Sequence, residues 1–133
     1  MTEGLYILTY EGEGYAPVYD FGAWRTAILK QGPRFDRATA TDMERHRETD
    51  EVFVLLCGEA TLVIGDKMTE VKMEKEKVYN IQKGVWHSIF VSADAKVFIV
   101  ENADTTRENT DRRPYPYKPE NEKQAIKAKK GCI

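Results

Sequence analysis

The chain has 133 residues, 41% of them hydrophobic and 32% charged, with a net charge of -2, which bounds it to one globular domain with a core of its own. Residues 107–133 hold eight basic and four acidic side chains against twelve and eighteen in residues 1–106, so an acidic body disfavours a nucleic-acid role and carries a basic tail. The opening MTEGLYILTYEGEG lacks the pattern of a secretory leader or membrane span. Cys57 in an apolar run and Cys132 beside the C-terminus read as two separate thiols of a cytoplasmic protein, not a disulfide framework.

In chain order, GLYILTY at residues 4–10 has the composition of a first strand, followed by turns at Gly12 and Gly14. A short strand is expected over Tyr15–Tyr19, with Pro17 favouring a sheet edge. Residues 23–30, AWRTAILK, alternate Ala23, Arg25, Ala27 and Leu29 against Trp24, Thr26, Ile28 and Lys30, and Gly32-Pro33 stops them, so a strand is favoured over a helical turn. Arg25 and Lys30 are expected on the solvated face, though an inward-facing member of the pair would reach a substrate carboxylate or phosphate.

A strand over Met43–His46 leads through the polar turn Arg47–Asp50 into Val52–Cys57, a continuous apolar run of core-strand length. Gly58-Glu59 and Gly65-Asp66 bracket Ala60–Ile64 as a hairpin signal. Residues 67–77 are charged with sparse apolar anchors and read as an exposed edge strand. Strands are further expected over Val78–Ile81, Val85–Val91 and Ala95–Val100. Beyond them the Pro/Tyr/Lys-rich residues 107–133 read as an extended arm or disordered tail, with a frayed helix over Glu120–Lys130. Nine or ten short strands without a long helix specify an antiparallel sandwich or barrel.

The chemistry-bearing residues cluster at strand ends. Side chains two apart on a strand point the same way, so Glu44 and His46 share a face. Glu51 opens the next strand after a short turn, and His87, the second of only two histidines, follows the turn Gln82-Lys83-Gly84. Two imidazoles with carboxylates suit zinc, iron, manganese, nickel or copper. The same pairing also makes a metal-free general base. Trp86, Tyr79, Phe53 and Phe98 are expected to fill the barrel, and Cys57 to be a small core residue. No phosphate loop, nucleophile elbow or dinucleotide fingerprint is present.

These two stretches resemble the paired motifs of the cupin superfamily. The first, His-x-His, three or four residues, Glu, six residues, Gly, is matched by His46, Glu51, Val52 to Cys57 and Gly58, with Glu44 in the slot of the first histidine. The second, Pro-x-Gly-x-x-His, is matched at Gly84 and His87, with Gln82 in place of the proline; Glu76 stands at a common glycine and Val91 at a common asparagine. The resemblance spans about residues 40–100, and the strand count extends it to about 4–103.

It implies a single-domain, all-β antiparallel jelly-roll barrel over residues 1–106, with residues 107–133 as the arm. It further implies a divalent transition metal on His46, Glu51 and His87, with Glu44 as fourth ligand or as the acid or base. The expected substrate is a small polar metabolite of sugar or carboxylic-acid size. Metal-assisted sugar isomerisation or epimerisation leads, with an iron-dependent dioxygenase or a non-catalytic sensing module as alternatives. Exposed sheet edges and the basic tail add a homodimer to the expectations.

Overall fold

The computed structural model describes residues 3–117. Among these residues ten strands form two five-stranded antiparallel sheets. The first holds β1 (Tyr15–Phe21), β2 (Trp24–Leu29), β9 (Lys96–Asn102), β4 (Glu51–Cys57) and β7 (Tyr79–Ile81), in that order across the sheet. The second holds β10 (Thr110–Pro114), β3 (Asp42–His46), β8 (His87–Val91), β5 (Ala60–Ile64) and β6 (Thr69–Lys72).

Alternation along the strands builds the interior. Inward-facing Phe53, Leu55, Val97, Ile99, Ala27 and Leu29 from the first sheet meet Leu62, Ile89 and Val91 from the second in one buried cluster. A smaller cluster of Met43, Val63, Met68 and Phe90 covers the outer face of the second sheet under Ala40, Trp86 and Tyr115. The guanidiniums of Arg45 and Arg113 lie over the Trp86 ring there, 4.7 and 4.2 Å from its centre.

Gly58 closes the turn after β4 with φ +78°, and a Cβ there would sit 2.5 Å from the Ala95 Cα. Both the left-handed backbone and the close approach require glycine. β6 lies at a sheet edge with every residue exposed, as the charged stretch leads one to expect. Pro17 and Pro114 both sit in edge strands, where a missing N–H breaks no ladder.

Three expectations are corrected. Residues 5–10 form no strand, and Leu5, Tyr6, Ile7 and Leu8 are exposed. Strand propensity reports fit to a half-buried sheet, and this segment pairs with no edge among the described residues. Thr110–Pro114, in the segment assigned to the arm, pairs instead with β3 as the edge strand β10. Cys57 is buried, but it is disulfide-bonded rather than a free thiol, so the cysteine argument for a reducing compartment loses its premise. The frayed helix expected over Glu120–Lys130 lies outside the described residues. No helix among the described residues is long and apolar enough to cross a membrane.

Candidate functional site

Strand register places the polar residues at one end of the barrel. In the first sheet Glu51 on β4 lies directly opposite Glu101 on β9, and Glu101 lies opposite Arg25 on β2. In the second, Glu44 on β3 lies between Arg112 on β10 and His87 on β8, and His46 lies opposite Thr110. Directly opposed residues share a sheet face, so both rows point into one cavity of about 600 Å³. Its floor includes the apolar side chains of Leu29, Phe53, Ile89 and Ile99.

The second-motif turn is fastened to the first motif: the Gly84 N–H donates to the His46 carbonyl at 2.7 Å. Asp50 ties the same turn down by accepting from the Lys83 N–H at 2.8 Å and the Asn80 amide at 3.1 Å. Two hairpins distant in sequence are thereby held as one unit, and that unit aims both histidines at Glu51.

Glu51 Oε1 stands 3.1 Å from His46 Nε2 and 3.2 Å from His87 Nε2, and all three side chains are buried. The imidazole rings are 5.4 Å apart. His87 Nδ1–H donates to the Val85 carbonyl at 3.0 Å. A carbonyl can only accept, so a neutral His87 would turn an Nε2 lone pair toward the Glu51 carboxylate. Two acceptors at that distance repel unless a positive charge joins them. A proton on the ring supplies one, and a metal ion supplies the other.

The ionisation pattern follows from the same contacts. Burial, the largest single influence, works against a charged Glu51, but hydrogen bonds from His46 and His87 overcome it and hold the carboxyl well below its ordinary range. Burial likewise disfavours charge on His46 and His87, yet the Glu51 hydrogen bond and charge outweigh it and raise both imidazoles. Glu101 moves the other way, pushed up to about 7 by burial and then by its hydrogen bond to Glu51 and the Glu51 charge. Tyr15 Oη donates to Glu101 Oε2 at 2.8 Å, and an Arg25 guanidinium nitrogen lies 3.3 Å from the same oxygen. One carboxylate held ionised beside one that shares its proton near neutrality is a proton-transfer arrangement.

Glu44 is less committed. Its Oε2 is 4.0 Å from His46 Nε2, and its Oε1 lies 3.6 Å from Arg34 and 3.8 Å from Arg112. Two overlapping donor sets could hold a cation: Glu44 with His46 and His87, and His46 with Glu51 and Glu101, each with its donor atoms within 4.8 Å of one another. Imidazole nitrogen with carboxylate oxygen matches a divalent transition metal, so these residues fit one.

All four residues singled out by spacing thus meet in the cavity. Arg25, expected on the solvated face, turns inward and is spent on Asp20 and Glu101. Glu101 and Tyr15 were not singled out. The signal for Glu101 was a carboxylate ending the apolar alternation of β9 on its inward side; Tyr15 gave none.

The sequence matches no protein-family model and no curated protein. Solved structures are similar to the chain in shape. A cupin-2 domain protein from Shewanella frigidimarina shares 18% identity with a TM-score of 0.55, covering 70% of this chain and 84% of that one. The chain has the cupin fold. A β-barrel, PAC13 of Streptomyces, described as a nucleoside dehydratase and solved with uridine, is 8% identical with a TM-score of 0.61 over 88% of this chain and 100% of that one. A protein from Bacillus halodurans aligns at 12% identity and a TM-score of 0.55, covering 68% and 70% of the two chains.

Proposed function

We propose that this cupin is a metal-dependent enzyme acting on a small polar metabolite, with isomerase or epimerase chemistry on a sugar-type substrate. The observation that carries this is the meeting of His46 Nε2 and His87 Nε2 on one buried Glu51 oxygen, at 3.1 and 3.2 Å. His46, His87 and Glu51 would hold a divalent transition metal, with Glu44 as a fourth donor, and the bound ion would polarise a carbonyl or enediolate oxygen. Glu101 would take and return the substrate proton, because it is buried, lines the cavity and stands directly opposite Glu51. Tyr15 and Arg25 would fix its orientation, and the apolar floor would exclude water. Glu44 serves as the acid or base if it stays off the ion.

The test is metal analysis of protein purified without an affinity tag, beside His87→Ala. About one equivalent in the wild type and a loss in the variant support the proposal; equal content in both removes His87 from the ligand set.

A second reading is favoured by the closed His46–Glu51–His87 contact, which protons alone can satisfy, and by the likeness to PAC13 in fold and full chain coverage. In it the barrel works without metal, by acid–base chemistry on a nucleoside-sized molecule. A cavity of about 600 Å³ has room for that. Turnover that survives exhaustive chelation would select it.

We also infer a homodimer built on the outer face of the first sheet. Tyr19, Phe21 and Trp24 pack on one another there while 36%, 63% and 45% exposed, an aromatic patch suited to a partner surface. Light scattering that gives a monomer mass at high concentration would count against it.

A further inference from the structure

The cavity mouth carries positive charge that the reaction proposed above does not use. Arg34 projects from the short turn Pro33–Phe35 that follows β2, and Arg112 from β10. They flank Glu44 from opposite sides, each side chain half exposed, and both address the same oxygen, Oε1, at 3.6 and 3.8 Å. Those separations exceed hydrogen-bonding range. Neither guanidinium donates a hydrogen bond within the protein among the described residues, so their fork-shaped donor sets are held near Glu44 by charge alone. Arg34 is steadied by the Phe35 ring, 5.1 Å from its guanidinium carbon. Arg107 lines the same cavity.

We propose that Arg34 and Arg112 are an oxyanion clamp, and that the ligand of this cavity carries a carboxylate or phosphate which replaces the Glu44 carboxylate between them. In the free protein Glu44 is a weakly held internal stand-in. An incoming oxyanion offers two or three oxygens in the geometry a guanidinium fork matches, which one shared Glu44 oxygen does not. Displaced from the arginines, Glu44 is left with His46 and His87 as its neighbours, so ligand binding and completion of the site become one event. The inference rests on reading the cavity as a ligand site, but not on the metal.

The experiment is calorimetric titration of the full chain with inorganic phosphate and, separately, with malonate, which tells a phosphate preference from a carboxylate one. Arg34→Gln and Arg112→Gln should each weaken binding of the preferred probe by about tenfold. Glu44→Gln should tighten it several-fold, an effect that misfolding cannot imitate. Asp42→Asn, which removes another carboxylate lining the cavity without touching the clamp, should change it less than twofold. The titrations are run on metal-free protein, with metal uptake measured separately on the same preparations, so that failure of the metal reading and failure of the clamp are distinguishable. Unchanged affinity in the two arginine variants, or an Asp42→Asn gain equal to that of Glu44→Gln, would overturn the clamp.

Discussion

Glu51 and Glu101 face each other directly across the β4–β9 ladder, on the same face and both buried. Like charges so placed cannot both ionise freely. Two histidines settle which one does: both address Glu51, whereas Glu101 has Tyr15 and a shared Arg25. The asymmetry of the site follows from that division.

Carbon-13 NMR of the side-chain carboxyls of metal-free protein should show Glu101 titrating at about 7. The Tyr15 hydrogen bond favours the charged form of Glu101, so Tyr15→Phe should move the midpoint higher still. A midpoint in the ordinary carboxylate range, or a downward move in Tyr15→Phe, would refute the assignment.

The network also fixes the sign of a pH effect on stability. His46 and His87 are raised above 6.5, so their contribution is fully present below that pH and is lost as pH rises through their folded values. Glu101, raised from 4.5 to about 7, binds a proton more readily in the folded state, and its contribution likewise falls as pH rises over that interval. Glu51 is lowered from 4.5, so its contribution is present above that pH and lost on acidification. Melting of metal-free protein should therefore drop as pH rises from 6 through neutrality and past the ordinary imidazole range, and an added divalent metal should restore more stability at the alkaline end, where it no longer competes with protons. Differential scanning fluorimetry across that range checks both; a rising melting temperature without metal contradicts them.

Glu51→Gln should destabilise the metal-free protein by about 3 kcal/mol, because an amide oxygen can still accept but lacks the negative charge that compensates two buried imidazoles. Urea denaturation measures it. A loss below about 0.5 kcal/mol would mean that the three residues are not a working unit.

Gly58 and Gly65 separate two costs. Both have positive φ, +78° and +80°, but only Gly58 has backbone within 4 Å of where a Cβ would stand. Gly65→Ala should cost about 1 kcal/mol of conformational strain, and Gly58→Ala roughly 3 kcal/mol, because Ala95 must also move. Equal losses would dismiss the close approach.

Most of the strands and all four of Glu44, His46, Glu51 and His87 were legible because their signals are local. Val52–Cys57 is an apolar run between turns, and His46, Glu51 and His87 sit at fixed distances from Gly58 and Gly84. Their partners were not legible because they come from register. Glu101 becomes a site residue only when β9 pairs with β4 and sets it opposite Glu51. Arg25 turns inward by the same pairing, from β2 to β9. β10 was missed because Thr110–Pro114 is charged and proline-terminated; Asp111 joins it to Arg45 and Arg47 on and beside β3. GLYILTY misled in the opposite direction, with strand composition and no sheet edge to fit.

The most direct test of the central claim is electron paramagnetic resonance of the protein loaded with one equivalent of copper(II) as a probe of the donor set. Hyperfine coupling from two imidazole nitrogens is expected in the wild type, from one in His46→Gln and from one in His87→Gln. A spectrum without nitrogen coupling, or one that neither substitution changes, would contradict a metal centre on His46 and His87.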